Sequence, residues 1–212
     1  RTSADIAAEK NCLRSVIRAA LKALSWESKV AQSEGIFDAI KTHPRMEEAR
    51  TVGIFMSTEF EPNTMPIIRW LLTNQKNVYI PKLVGANNDM IMVKLDGLKS
   101  LEDLVPNKWN ILEPVGVGRR QFKWPDVMNV LIVPGLAFRV KTLERLGHGG
   151  GCYDRWIRDV GREKINYIIG IGFKGQLLDS LPTSEHDVKL DEVVYDKRRH
   201  FDVSLNIAKT IA

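Results

Sequence analysis

The stretch NVLIVPGLAFRVKTLERLGHGGGCYDRWIRDVGREKINYIIGIG, residues 129–172, contains the pattern that decides the fold. It begins with an apolar run at 129–133 and ends with another at 166–172, and both have the length and β-branched composition of buried strands. Between them a glycine loop leads into a segment, 153–161, with the pattern of a helix. Short apolar strands that alternate with helices are typical of a mostly parallel sheet.

The rest of the chain repeats this alternation. We expect helices over residues 4–24, 26–40 and 63–75, strands over 51–57, 77–83 and 90–95, and a loop-rich region from 99 to 122. The pattern predicts an α/β protein, a three-layer α/β/α sandwich with a mostly parallel, Rossmann-like central sheet, formed by one domain over 1–212. Because ligands of such folds bind beyond the carboxyl ends of strands, the segments after Ser57, Val133 and Gly172 are the places to search.

Composition excludes several classes of protein. The 212 residues are 44% hydrophobic and 27% charged, which argues against disorder, a collagen-like fibre and a coiled coil. The sequence contains no run of 18 apolar residues, so we expect no transmembrane helix. Residues 1–10 do not have the pattern of a secretory signal. Two cysteines favour a reducing compartment, so we expect a cytoplasmic location, with the mitochondrion left open. The net charge of +5 suits an anionic partner.

The first predicted helix carries a basic stripe. Lys10, Arg14, Arg18 and Lys22 follow at four-residue steps, so they lie along one side of the helix. Lys10 and Arg14 lie next to the apolar face, and we expect them to face a cleft. Arg18 and Lys22 are expected to face water.

The glycine loop is the strongest functional signal. Gly147, Gly149, Gly150 and Gly151 expose bare backbone just before a helix, whose free amides and dipole favour an anion. Arg145 adds a guanidinium suited to phosphate. The loop matches neither a P-loop nor GxGxxG. The alternative reading is a flexible turn without a ligand.

These residues resemble a known family. The segments VPGLAF at 133–138 and RLGHGGGCYDR at 145–155 closely resemble the signature of 5-formyltetrahydrofolate cyclo-ligase, also called methenyltetrahydrofolate synthetase. Weaker resemblances follow in the family's order at KNCLR (10–14), FMS with Glu61 (55–61), WNILEP (109–114) and HDVKLD (186–191). They span nearly the whole chain.

The resemblance implies an enzyme that converts 5-formyltetrahydrofolate to 5,10-methenyltetrahydrofolate with ATP and Mg²⁺. ATP phosphorylates the formyl oxygen, N10 attacks the activated carbon, and phosphate leaves. Such chemistry rests on positioning and charge neutralisation rather than on a protein nucleophile. The partners would be these small molecules, without nucleic acid or membrane, and the protein would be a monomer.

The resemblance also implies site residues. The groups implied in catalysis are Lys10, Arg14 and Arg145. The ATP-binding set adds Leu146, Gly147, His148, Gly149, Gly150, Gly151, Cys152 and Tyr153. The folate-binding set is Met56, Glu61, Trp109, His148, Cys152 and Tyr153, and the Mg²⁺ ligands are Asp154 and Asp187. Each has a structural alternative, among them a helix cap for Asp154, core packing for Met56 and a solvated stripe for Lys10 and Arg14.

Three positions depart from the family's pattern. Arg139 stands where Asp is common, and the loop from 139 to 144 lacks the usual glycine, which bears on the geometry of a turn. Cys152 replaces a usual Tyr. His148 stands where Arg or Tyr is frequent, so a positive charge is present only at lower pH.

Two other functions stay open at this stage. Cys152 and Arg139 are compatible with a weakened relative that binds folate or nucleotide as a regulator. The net charge and the basic cluster at 197–199 are compatible with an RNA-binding module, although the aromatic content is low and no RNA-recognition motif is present. We expect that cluster and His200 to form a solvated tail.

Overall fold

The fold is that of a computed structural model, which describes residues 2–85, 89–116 and 125–198. Its five α-helices within these ranges are α1 (Ser3–Ala23), α2 (Trp26–Lys41), α3 (Pro44–Glu48), α4 (Met65–Thr73) and α5 (Cys152–Val160). Short 3-10 helices lie at Leu98–Leu101, Arg162–Lys164 and Lys174–Gln176. None of the helices in the described ranges has the length and apolar character needed to cross a membrane.

Ten strands are described. They are β1 (Thr51–Ile54), β2 (Asn77–Val84), β3 (Asp89–Lys94), β4 (Leu104–Pro106), β5 (Leu112–Pro114), β6 (Met128–Val133), β7 (Ala137–Arg139), β8 (Glu144–Leu146), β9 (Ile165–Ile171) and β10 (Glu192–Val194). Six of them form the central sheet in the order β10-β9-β6-β1-β2-β3, and every neighbouring pair except β2 and β3 is parallel. The predicted α/β class with a mostly parallel sheet is therefore confirmed.

The strand order places a crevice between β1 and β6. From β1 the chain crosses through α4 to β2 on one side, whereas from β6 it crosses through α5 to β9 on the other. The carboxyl ends of β1 and β6 therefore flank the point where the strand order reverses. In open α/β sheets this point is where ligands bind.

Tight packing beneath this edge requires glycine. The fully buried Phe138 ring lies against three glycines, and a Cβ at Gly135, Gly170 or Gly172 would come within 2.6–2.7 Å of it. Because real Cβ atoms do not approach other atoms so closely, a side chain at any of the three would displace the ring. The PGLAF segment is thus locked onto the end of β9.

Several boundaries differ from those predicted. The strand expected over 51–57 ends at Ile54, and the helix expected from 63 begins at Met65, because the Ser57 and Thr64 hydroxyls accept each other's backbone N–H and form a loop. Ser25 is the N-cap of α2, and its side chain accepts from Ser28 N. The sequence patterns missed α3, β10 and the hairpins β4–β5 and β7–β8; residues 117–122 of the predicted loop lie outside the described ranges.

The basic segment near the end of the described chain is partly anchored. Arg198 is half-exposed, yet it donates to the buried Asp196 carboxylate and to the carbonyl of Ala31 on α2. The expectation of a solvated tail is therefore wrong at Arg198. Arg199 and His200 lie outside the described residues.

Candidate functional site

The glycine loop lies at the crevice between β1 and β6. After β6 the chain forms the β7–β8 hairpin, which is closed at its base by the 2.7 Å hydrogen bond from Leu136 N to Leu146 O. The loop then runs from Gly147 to Gly151, the N-cap of α5. Gly151 has φ +62° and Gly149 has φ +112°, which L side chains rarely adopt, so these two positions favour glycine for conformational reasons.

The amides of this loop are bare. Within the described ranges, the backbone N–H groups of residues 147–154 donate to no protein acceptor, while the carbonyls of Gly147, His148 and Gly150 accept from arginines. The first amides of α5 are free for the same reason as at any helix start, and Gly151 offers no side-chain cap. The loop and the helix start therefore present hydrogen-bond donors to an anionic ligand.

Arg145 lies beneath the loop and is nearly buried, at 8% exposure. Its Nη1 donates to Pro134 O at 3.1 Å, and its Nη2 donates to Asp154 Oδ2 at 2.9 Å. The other oxygen of Asp154 accepts from Val188 N at 3.0 Å. Arg145 and Asp154 thus join the hairpin, α5 and the segment after residue 187 into one support for the loop.

Helix α1 brings its basic residues to the same place. Lys10 Nζ lies 2.5 Å from Asp187 Oδ2 and 3.3 Å from Ser184 Oγ, and Arg14 Nε donates to Gly147 O at 2.9 Å. Desolvation by burial is the main cause that lowers the pKa of Arg14, and the neighbouring Arg18 adds to it. Lys10 and Arg14 face the cleft as predicted, and Lys22 is exposed. Arg18 is exposed, as expected, and its Nη2 also donates to His148 O at 2.9 Å.

Glu61 and His148 meet across the crevice. Glu61 follows β1 and its side chain is 7% exposed; one carboxylate oxygen accepts from the Thr58 backbone N–H and hydroxyl, and the other lies 3.1 Å from His148 Nε2. Two segments that lie far apart in the sequence are therefore joined at the switch point. Thr58, which the sequence did not single out, fixes the carboxylate.

Tyr153 forms a partly buried wall of the same crevice. Its ring contacts core residues on both sides of the sheet, and the Arg145 guanidinium lies 5.7 Å from the ring centre. Its hydroxyl is buried and has no hydrogen-bond partner among the described residues. Burial raises the pKa of Tyr153 well above its ordinary value, and the charge of Glu61 raises it further. The phenol is therefore a neutral donor without an acceptor.

Met56 and Trp109 occupy different surroundings. Met56 is 5% exposed and belongs to the same core cluster that Tyr153 packs against. Trp109 is 47% exposed at the tip of the β4–β5 hairpin, where Lys108 Nζ lies 4.2 Å from its ring. Ile111 and Leu112 pack that hairpin onto the core cluster, and Lys82 Nζ donates to Pro114 O and holds the hairpin to β2. Trp109 thus projects from an anchored arm.

The two predicted metal ligands are already engaged by protein donors. Asp187 accepts from Lys10 and from Ser184 N, and Asp154 accepts from Arg145 and Val188 N. The described residues contain no group of three or more His, Cys, Asp or Glu side chains that could hold a metal by themselves. Because an ionised carboxylate has about four acceptor positions, each keeps capacity for at least one further ligand bond. The two fit Mg²⁺ only as a minor part of its ligand set.

The departures from the family's pattern have local consequences. Cys152 is the first residue of α5, and its Sγ lies 3.8 Å from Gly150 O. Arg139 pairs with Glu144 across the β7–β8 hairpin at 3.3 Å. The turn without glycine is closed by Leu143, whose φ is +61°. The hairpin therefore forms despite the residues that differ.

Fold and site together define an α/β protein whose glycine loop places bare amides beside basic side chains at the switch point of its sheet. The sequence model of the 5-formyltetrahydrofolate cyclo-ligase family matches residues 6–196, and the chain belongs to this family. It is 32% identical over 190 residues to the mouse (Mus musculus) 5-formyltetrahydrofolate cyclo-ligase, covering 88% of this chain and 93% of the mouse protein. It is also 32% identical over 181 residues to the enzyme of Escherichia coli K12, covering 84% and 96%.

Solved structures share the fold. The NMR structure of Aquifex aeolicus 5,10-methenyltetrahydrofolate synthetase superimposes with a TM-score of 0.69 at 24% identity, over 89% of this chain and 90% of that one. The Mycoplasma pneumoniae 5,10-methenyltetrahydrofolate synthetase gives 0.63 at 23% identity, over 89% and 99%. The three-layer arrangement predicted from the sequence is therefore an architecture that these proteins share.

Proposed function

We propose that this protein converts 5-formyltetrahydrofolate to 5,10-methenyltetrahydrofolate at the expense of ATP. The observation that carries the proposal is the meeting of two different subsites at one crevice. The bare amides of the glycine loop suit the phosphates of a nucleotide. The buried acceptor Glu61 and the walls formed by Met56 and Tyr153 suit the flat, NH-rich ring of a pterin.

In this proposal the loop holds the transferred phosphoryl group. The formyl oxygen attacks the terminal phosphorus of ATP, and ADP leaves. N10 then attacks the activated carbon and loses its proton, and the former formyl oxygen departs with phosphate. Lys10, Arg14 and the amides around His148 lie where they can offset the charge on the phosphoryl oxygens, and Arg145 keeps the loop in place from below.

The folate is held by the opposite wall. Glu61 accepts hydrogen bonds from the pterin edge, and His148 and Cys152 line the passage between the two subsites. The Trp109 arm covers the ring or the aromatic part of the tail. A protein nucleophile is not needed, because the phosphate itself is the leaving group.

Magnesium enters this proposal with the nucleotide. Asp154 and Asp187 would each supply one carboxylate, and phosphate oxygens and water would supply the remaining ligands. When bound, Mg²⁺ neutralises phosphate charge. The protein's own contribution is to hold those carboxylates through Arg145, Val188 N, Lys10 and Ser184.

One absorbance assay tests the activity. The methenyl product absorbs in the near ultraviolet, so we expect an increase with 5-formyltetrahydrofolate, ATP and Mg²⁺ together, and none when ATP or Mg²⁺ is omitted. No increase with all three present would overturn the proposal, and folate binding by calorimetry without turnover would favour the regulator instead.

A variant pair tests the folate subsite. Glu61→Gln removes the charge of a buried acceptor, and we expect KM for the folate to rise roughly tenfold or more, the effect of about 1.5–3 kcal/mol for a hydrogen bond to a charged group. Glu59→Gln is the matched control, since Glu59 lies two residues away and is exposed. Equal KM values in the two variants would remove the assigned role of Glu61.

A further inference from the structure

Three guanidinium groups hold the glycine loop by its carbonyl oxygens. Arg14 Nε donates to Gly147 O and Arg18 Nη2 to His148 O, each at 2.9 Å, and Arg155 Nη1 donates to Gly150 O at 2.6 Å. Two of these arginines come from α1 and the third from α5. They bind the loop from two directions.

Because the peptide bond is planar, these contacts also determine where the neighbouring amides point. Within each trans peptide unit the C=O and the N–H of the next residue point in opposite directions, and the described chain has no cis peptide bond. The arginines face the carbonyls of residues 147, 148 and 150. The amides of the next residues, His148, Gly149 and Gly151, therefore point away from the arginines. These are three of the bare amides described above.

The glycines fit closely against these arginines. A Cβ at Gly151 would lie 2.9 Å from Arg155 Nη1, and one at Gly149 would lie 3.6 Å from Arg14 Nε. The loop is thus positioned by guanidinium groups that hold its carbonyls, and the amides opposite those carbonyls are left to a ligand.

We propose that Arg18 and Arg155 are positioning residues of the nucleotide subsite, which act by holding the carbonyls of His148 and Gly150 so that the loop amides face the phosphates. The proposal rests on the function proposed above. The sequence pattern assigned neither residue to the site, because each acts on backbone and not on a side chain. Both are exposed, and among the described residues neither donates to a carboxylate through the nitrogen that binds the loop.

The test compares alanine variants with matched controls. Arg18→Ala and Arg155→Ala should each raise KM for ATP and the Kd of a non-hydrolysable ATP analogue by roughly three- to tenfold, the usual effect of one hydrogen bond. KM for the folate and the melting temperature should stay unchanged. Lys22→Ala removes the next charge on the α1 stripe, and Arg158→Ala removes an α5 arginine that binds His186 O instead. Both controls should match the unsubstituted protein.

Conservative replacement separates positioning from long-range charge. If the arginines act through their hydrogen bonds, millimolar guanidinium should recover part of the affinity for the ATP analogue that Arg155→Ala loses. The affinity of Arg155→Lys should lie between that of Arg155→Ala and that of the unsubstituted protein. If Arg18→Ala and Arg155→Ala bind the analogue as tightly as the controls do, the inference is overturned. Because analogue binding is measured without turnover, that outcome is distinct from failure of the proposed reaction, in which the unsubstituted protein yields no methenyl product.

Discussion

Replacing Tyr153 by Phe should make the ligand-free protein more stable. The Tyr153 hydroxyl is buried without an acceptor among the described residues. A buried donor left without a partner costs about 1–3 kcal/mol. Phenylalanine keeps the ring and its packing against both core clusters while it removes that donor. We therefore expect a gain of about 1 kcal/mol in the free energy of unfolding.

The measurement is thermal and urea unfolding of the ligand-free protein at neutral pH. For a chain of this size a gain of 1 kcal/mol corresponds to an increase of roughly 2–4 °C in Tm. Tyr167→Phe is the matched control, because the Tyr167 hydroxyl donates to Glu192 at 3.2 Å. Its removal should lower stability by about 0.5–1.5 kcal/mol. The two variants should therefore change stability in opposite directions.

Folate binding should favour the tyrosine at position 153, although the ligand-free protein is expected to be more stable with phenylalanine there. If the hydroxyl donates to bound folate, Tyr153→Phe should raise KM for the folate, and the folate should raise Tm less than in the unsubstituted protein. A Tyr153→Phe protein that is destabilised as much as Tyr167→Phe would show that the hydroxyl has a partner in the free protein. That result would refute the reasoning.

Three further perturbations follow from the structure. Burial raises the pKa of Tyr153 above its ordinary value of 10, so the folded state holds the phenol proton more tightly than the unfolded state does. The resulting stability is present below pH 10 and should be lost as the pH rises further. Between pH 9 and pH 11, the free energy of unfolding measured in urea should therefore fall less in Tyr153→Phe than in the unsubstituted protein. Gln75 occupies a left-handed position, φ 57°, in the turn that ends α4. Gln75→Gly should therefore raise the free energy of unfolding by about 0.5–1 kcal/mol, whereas Gln75→Ala should not. The measurement is the Tm of the two variants. Lys82→Met removes the contact that holds the β4–β5 arm to Pro114 O and should raise KM for the folate but not for ATP; equal changes in both would contradict a role confined to the arm.

The fold was predictable because its signals are local. The apolar runs that became β1, β2, β6 and β9 have the length and β-branched composition of buried parallel strands, and the amphipathic pattern of α1 predicted its buried face. The short hairpins were missed because three-residue strands carry almost no periodicity. The strand β10 was missed because its pairing with β9 depends on contacts distant in the sequence.

The site was predictable only where chemistry is encoded in residue type. Four glycines before a helix favour a bound anion, and the structure brings Arg14 and Glu61 into contact with that loop. The contacts of Arg18 and Arg155 could not be predicted, since their acceptors are carbonyls that every residue possesses. The near-burial of Arg145 was equally hidden: a guanidinium beside a glycine loop can reach into a pocket or support it from below, and only the three-dimensional arrangement separates the two.

Leu143 shows how a turn can form without its usual glycine. Its φ of +61° is unfavourable for a branched side chain by about 1–2 kcal/mol. Three contacts offset this strain: Leu143 N donates to Arg139 O at 2.8 Å, Leu190 N donates to Leu143 O at 2.9 Å, and the side chain packs against the cluster that contains Phe138. The hairpin is thereby joined to the segment that follows Asp187. A glycine at this position would relieve the backbone but remove the side-chain contact, so in this chain packing stabilises the turn in place of conformational freedom.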